Sequence, residues 1–131
     1  MEAKTGDLRA TGKINISNPT KQGWLQKQSR FWKTWRSRWF VLQDSVLYSF
    51  KHEKLYENPT EVIDLKVFTS VKSSKEYTNK TNSFDIYSKE MAFSLLAKSA
   101  EEKEDWIRAI GKAIVMSRNN LTFDRQDSDS D

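Results

Sequence analysis

Residues 23–44 read GWLQKQSRFWKTWRSRWFVLQD, and this stretch decides the fold. It contains two runs, Gly23–Gln28 and Thr34–Leu42, in which side chains of unlike polarity alternate. Alternation with a period of two is typical of β-strands that bury one face. The sequence therefore predicts a pair of neighbouring strands joined by a polar and aromatic loop.

The loop and the adjoining strand ends concentrate positive charge. From Lys27 to Arg38 the chain has five basic residues and no acidic one, with Phe31 and Trp32 adjacent in the middle. The formal net charge of the whole chain is only +4. Basic residues around two large aromatics are typical of surfaces that meet an anionic membrane, where charge and an apolar layer lie side by side.

Composition excludes several classes of function. The 131 residues, 37% hydrophobic and 31% charged, have room for one globular domain with tails. The absence of cysteine excludes disulfides, cysteine-based zinc sites and thiol catalysis. A lone histidine and the lack of a glycine-rich phosphate loop argue against an enzyme, a metal site or a cofactor. No apolar run reaches the roughly 18 residues of a membrane span, and no secretory signal opens the chain, so a cytoplasmic protein is predicted.

Three segments are predicted along the chain: a flexible lead-in at 1–19, a folded domain at 20–118 and a disordered acidic tail at 119–131. Within the domain, five further strand-like runs follow the first pair: Val46–Lys51, Glu61–Phe68, Ser70–Tyr77, Asn82–Tyr87 and Met91–Lys98.

The pattern then changes to that of a helix. Ser99 and Glu102 have the spacing of a capping box, in which the hydroxyl accepts from a backbone N–H and the carboxylate reaches back. Behind them, apolar residues recur at helical spacing: Trp106, Ile110, Ala113 and Ile114. Seven short strands followed by one helix predict a mainly β protein, a partly open antiparallel barrel capped by a C-terminal α-helix.

Strand alternation also predicts where the basic residues point. Arg36 and Arg38 share a face with Phe40, and Lys27 shares a face with Leu25. If the apolar members of these faces lie in the core, the three cations line the mouth of the barrel and suit a group that carries phosphates. The inverse facing, with the tryptophans inside, would turn the cations into an outer surface patch.

Three segments resemble those of a pleckstrin homology (PH) domain: GWLQK at 23–27, WRSRWFVLQD at 35–44, and EDWI at 104–107 in the final capped helix. The resemblance covers about residues 20–118 and implies the same seven-stranded, helix-capped barrel. Phosphoinositide-binding members share a K-x(n)-[K/R]-x-R pattern, which Lys27, Arg36 and Arg38 fill here. In layout the chain is similar to small plant proteins that consist of little but such a domain, and to the apicomplexan acylated PH proteins.

The sequence departs from the family pattern in ways that bear on the ligand. Members that select highly phosphorylated inositol lipids often have a tyrosine late in the third strand, where this chain has Ser49 after Tyr48. A further basic residue expected soon after that strand is missing, although Lys51 and Lys54 could substitute. The resemblance therefore implies a smaller headgroup, that of a monophosphorylated inositol lipid or phosphatidic acid.

These patterns predict a monomeric peripheral protein of a cytosol-facing membrane that binds an anionic phospholipid. Headgroup binding is predicted for six basic residues: Lys27, Arg30, Lys33, Arg36, Arg38 and Lys51. Phe31 and Trp32 are predicted to insert into the membrane, the alternative being that they pack against the barrel. The competing function is that of a protein-interaction adaptor whose basic hairpin gives only nonspecific membrane attraction. Nucleic acid is not expected as a partner, because the cations lie in one hairpin and do not follow a groove.

Overall fold

The computed structural model describes residues 11–29 and 31–129, with side chains as far as residue 119. The described residues form seven strands: β1 (Lys21–Gln28), β2 (Trp35–Gln43), β3 (Val46–Phe50), β4 (Glu61–Asp64), β5 (Ser70–Ser73), β6 (Ser83–Tyr87) and β7 (Ala92–Leu96). They also form a 3-10 turn at Leu65–Val67 and two helices, α1 (Lys75–Thr78) and α2 (Ala100–Asp129).

The strands form one antiparallel sheet in the order β4-β3-β2-β1-β7-β6-β5. β4 and β5 are its two edges, so the sheet curls without closing. Helix α2 packs across β5, β6 and the 3-10 turn. The predicted architecture, a partly open antiparallel barrel capped by a C-terminal helix, is confirmed.

The main core fixes the facing of the first two strands. Leu25, Phe40 and Leu42 are buried together with Trp106 and Ile110 of α2. The predicted facing is therefore confirmed, and the inverse facing, with the tryptophans in this core, is wrong. The helix contributes its apolar stripe to the same core, as its spacing predicts.

A second apolar cluster lies on the opposite face of the sheet, where Trp39 and Val41 of β2 are covered by Ile14 and Ile16. The covering segment is held by its backbone, because the N–H of Ile14 donates to the carbonyl of Tyr56 at 2.9 Å. The flexible lead-in predicted for 1–19 is thus wrong for residues 11–19. Burying the outer face of β2 offsets the entropy that this segment loses.

Helix α2 begins largely as its cap predicts. The hydroxyl of Ser99 accepts from the N–H of Glu102 at 3.1 Å, while the Glu102 carboxylate lies 3.8 Å from Lys21 Nζ. The backbone is helical as far as Asp129, where the sequence predicts a disordered tail from 119 onward. A helix already nucleated and packed extends without a new nucleation cost, which is the physical reason for this difference.

Two strands are shorter than their patterns suggest. β4 ends at Asp64, whose carboxylate accepts from the N–H of Lys66 at 3.1 Å and starts the 3-10 turn. β5 ends at Ser73, and the connection to β6 contains α1 where a strand to Tyr77 is predicted. Lys103 of α2 contacts the start of this connection, because its ammonium donates a hydrogen bond to the Ser73 hydroxyl at 2.7 Å.

Candidate functional site

The register of β1 and β2 brings the three predicted phosphate ligands together. Lys27 lies directly opposite Arg36, and Arg38 lies opposite Leu25, two residue pairs closer to the core on the same face. All three line one pocket of about 260 Å³ at the hairpin end of the barrel. The other residues that line it are Ser29, Thr60 and Glu61. The pocket is thus the point where the inner face of β1 and β2 passes from the core to solvent.

Ser29 shapes the loop above the pocket. Its backbone N–H donates to the carbonyl of Thr34 at 2.7 Å. Its hydroxyl oxygen accepts from the N–H groups of Trp32 at 3.2 Å and Thr34 at 3.3 Å. Lys33 adopts the left-handed conformation, with φ at 57°, which turns the chain back into β2. These hydrogen bonds tie Ser29 to Trp32 and Thr34 at the base of the projection that the loop forms.

Phe31 and Trp32 stand at the tip of this projection. Their exposed fractions are 82% and 81%, the highest among the exposed large hydrophobic residues that the structure describes. The alternative in which these rings pack against the barrel is therefore wrong. Two exposed aromatics beside a basic pocket can enter the interfacial layer of a bilayer while the pocket holds a headgroup.

The remaining predicted residues lie in different places. Lys33 faces a separate pocket of about 430 Å³ on the other side of the loop, lined also by Tyr77 and Asp85. Lys51 follows β3, is exposed, and is not among the residues that line the smaller pocket. Arg30 lies outside the described residues.

Sequence reasoning missed the contribution of β4. Thr60 and Glu61 complete the pocket from the side opposite β1. Ser49 holds them there, because its carbonyl accepts from the N–H of Thr60 at 2.7 Å and the two hydroxyls share a hydrogen bond of 2.7 Å. No pattern in the sequence predicts this, since the connection from β3 to β4 has no periodicity that fixes its path.

The three basic side chains of the pocket differ in their exposure to solvent and in their contacts. Lys27 is largely enclosed, with a side chain 12% exposed and its ammonium 3.3 Å from the Glu61 carboxylate. The same ammonium lies 4.9 Å from the ring centre of Phe93. Arg38 donates to the carbonyl of Ser37 at 2.8 Å, whereas Arg36 is exposed. The two guanidinium groups have further N–H groups that can donate hydrogen bonds to a phosphate oxygen.

Two further observations on the described residues concern metal ions and membrane-spanning helices. Within 11–29 and 31–129, no group of three or more histidine and carboxylate side chains is placed to hold a metal ion. Over the same residues, no helix is both long and apolar enough to cross a bilayer.

The PH domain family model matches residues 19–115. The chain belongs to the PH domain family. PH domains are non-catalytic binding modules and commonly bind phosphoinositide headgroups. The fold described above, with its seven strands and C-terminal helix, is the fold of this family.

Similar PH domains occur both in a small protein and in a larger one. Pleckstrin homology domain-containing protein 1 of Arabidopsis thaliana is 36% identical over 110 residues, which cover 81% of this chain and 76% of that protein. The dual adapter for phosphotyrosine and 3-phosphotyrosine and 3-phosphoinositide of Mus musculus is 34% identical over 103 residues. That match covers 78% of this chain but only 36% of the adapter.

Solved structures give the same result. The C-terminal PH domain of pleckstrin, in complex with D-myo-Ins(1,2,3,5,6)P5, is 30% identical with a TM-score of 0.64, over 76% of this chain and 99% of that chain. The Slm1 PH domain, in complex with inositol-4-phosphate, has a TM-score of 0.64 at 21% identity, over 76% of this chain and 99% of that one. At the latter identity the likeness shows the fold alone.

Proposed function

We propose that this PH domain binds the headgroup of an anionic phospholipid and thereby attaches as a monomer to a cytosol-facing membrane. The observation that carries the proposal is the convergence of Lys27, Arg36 and Arg38 on one pocket at the mouth of the barrel. Each charge-assisted hydrogen bond to a phosphate contributes about 1.5–3 kcal/mol. Two or three such bonds sum to about 3–9 kcal/mol, which corresponds to dissociation constants from roughly millimolar to roughly micromolar.

The loop tip supplies the second part of the proposed attachment. Phe31 and Trp32 are exposed, and they lie between the basic residues of β1 and β2. Burying half of this aromatic pair in the interfacial layer contributes roughly 2 kcal/mol. The pocket then selects the lipid, and the aromatic pair prolongs the time on the membrane. Lys33, Arg30 and Lys51 add attraction to the anionic surface around the pocket.

The size and lining of the pocket favour a small headgroup. Its volume is about 260 Å³, and Ser49, where related domains often have a tyrosine, is fully buried and bonded to Thr60. Ser49 therefore offers no contact to a ligand. A monophosphorylated inositol lipid or phosphatidic acid is the proposed ligand, because fewer phosphates need fewer contacts.

Sedimentation with liposomes tests the proposal. The liposomes contain phosphatidylserine alone, or phosphatidic acid, a monophosphorylated or a polyphosphorylated inositol lipid at matched surface charge and about 0.15 M salt. Preference for one lipid by the parent protein, lost in Arg38→Ala, supports the pocket. Equal binding to all liposomes, fading with salt, would contradict it and leave a nonspecific basic patch.

A second candidate is a protein-interaction module, and one observation favours it. A groove of about 400 Å³ lies between α2 and the β2–β3 turn, with Asp44, Ala109 and Met116 in its lining. The Met116 side chain is 51% exposed there, and a short peptide with an apolar anchor fits such a groove. Under this function Arg38→Ala leaves partner binding intact and Met116→Glu abolishes it, which is the reverse of the result expected for lipid binding.

A further inference from the structure

The proposed headgroup pocket contains an acidic residue, which a site for anions does not need. Glu61 is the first residue of β4, and its carboxylate lies 3.3 Å from the ammonium of Lys27. The side chains of Glu61 and Lys27 are only 20% and 12% exposed. The pair is thus shielded from solvent, so its charges are screened less by water and salt than those of a surface pair.

Both partners are held in place by the surrounding strands. Glu61 is paired with Ser49 in the β3–β4 register, next to the hydrogen bonds that fix Thr60. Lys27 is paired with Leu95 of β7 and with Arg36 of β2, and its ammonium lies over the Phe93 ring. The backbone of both residues is thus fixed by strand pairing, so the position of the pair does not depend on a free loop.

We propose that Glu61 is a specificity-determining residue, an internal counter-ion that occupies Lys27 in the free protein and selects against headgroups with a phosphate beside β4. This inference rests on the proposed function and deepens it. A phosphate that binds Lys27 must lie close to the Glu61 carboxylate, and like charges at this distance repel strongly in a partly buried site. A phosphate that binds Arg36 and Arg38 approaches from the β2 side and meets less of this repulsion.

The consequence is a discrimination by number of phosphates. A headgroup with one ring phosphate can place it on the two guanidinium groups and leave the Lys27–Glu61 pair intact. A headgroup with two adjacent ring phosphates must bring the second one toward Lys27 and break the pair. Specificity of this kind comes from a repulsive element as much as from the attractive contacts.

The decisive variant is Glu61→Gln, which keeps the size of the side chain and removes its charge. The matched control is Glu90→Gln in the exposed β6–β7 turn, which changes the net charge by the same amount outside the pocket. Glu61→Thr is a second neutral variant, chosen because threonine favours strands and keeps β4 in place if glutamine does not. Glu61→Asp retains the charge and serves as the conservative variant.

Binding is measured on phosphatidylserine vesicles that contain a monophosphorylated or a bisphosphorylated inositol lipid at equal surface charge. We expect Glu61→Gln and Glu61→Thr to raise affinity for the bisphosphorylated lipid about tenfold and for the monophosphorylated lipid less than about threefold. Glu90→Gln should change both affinities equally and by less than about twofold, and Glu61→Asp should keep the parent ratio.

An unchanged ratio of the two affinities in folded Glu61→Gln and Glu61→Thr, with the parent still binding through Arg36, would overturn the inference and leave the proposed function standing. Weaker binding of both lipids together with a lower melting temperature would also overturn it, because Glu61 would then only tie β4 to β1. If neither the parent nor the neutral variants bind any vesicle, the proposed function fails and the inference fails with it.

Discussion

The hairpin of β1 and β2 has a buried half and a charged half, and the same strand faces build both. Near the β2–β3 turn, Phe40 and Leu42 are fully buried in the main core. Near the hairpin loop, Lys27 and Arg36 follow on the same faces and line the candidate pocket. The alternation of side chains does not change along the strands; only the cover above them does. The candidate pocket therefore lies on the same strand faces as the core, at the end where no other element that the structure describes covers them. We expect residues near the β2–β3 turn to determine the stability of the fold, and residues near the hairpin loop to determine binding.

The largest effect is expected in the buried half. Phe40→Ala should lower the free energy of unfolding by about 3–5 kcal/mol, because it removes a fully buried ring from the core. Urea denaturation followed by circular dichroism measures this change. A decrease in the free energy of unfolding of less than about 1 kcal/mol would contradict the claim that this half of the hairpin carries the stability of the fold.

The matching change in the charged half is Arg36→Ala. It should leave the free energy of unfolding within about 0.5 kcal/mol of the parent, because the side chain is exposed. Affinity for vesicles that contain the preferred lipid should fall about 10- to 100-fold, the equivalent of one charge-assisted bond. If Arg36→Ala lowered the free energy of unfolding but left vesicle binding unchanged, the assignment of this half of the hairpin to binding would be wrong.

Replacement of the loop tip tests a third property of the same hairpin. Phe31→Ala combined with Trp32→Ala should weaken vesicle binding about 30-fold, which corresponds to the roughly 2 kcal/mol of half-buried aromatic surface. Binding of the soluble headgroup, measured by calorimetry, should remain unchanged because neither ring lines the pocket. An equal loss in both assays would place the rings in headgroup recognition instead of insertion.

The smallest effect is expected on the other side of the loop. Lys33 faces the larger pocket with Tyr77 and Asp85, away from the three cations. Lys33→Ala should weaken binding to all anionic vesicles about fivefold, since one surface cation contributes about 1 kcal/mol. The ranking of the lipids should not change. A changed ranking would show that headgroup selection extends to this second pocket.

The sequence predicts the parts of this molecule that depend on periodicity. The facing of Lys27, Arg36 and Arg38 follows from strand alternation and from the burial of Leu25 and Phe40, and the structure confirms it. The helix stripe from Trp106 onward is equally local, because each residue's position follows from its near neighbours in sequence.

The parts that depend on contacts between distant segments could not be predicted in the same way. Residues 11–19 contain too few apolar residues to suggest a docked segment, yet Ile14 and Ile16 find the outer face of β2. Glu61 enters the pocket because Ser49 fixes Thr60 across the β3–β4 connection. Such placements depend on the assembled sheet, and a single sequence holds no periodic signal for them.

The most direct test of the central claim is an NMR titration of the labelled protein with the soluble headgroup of a monophosphorylated inositol lipid. The claim predicts that the largest amide shifts map to the residues around the smaller pocket: Lys27, Ser29, Arg36, Arg38, Thr60 and Glu61. Shifts centred on Tyr77, Thr78 and Ser94 in the larger pocket, or no saturable shift at all, would contradict it.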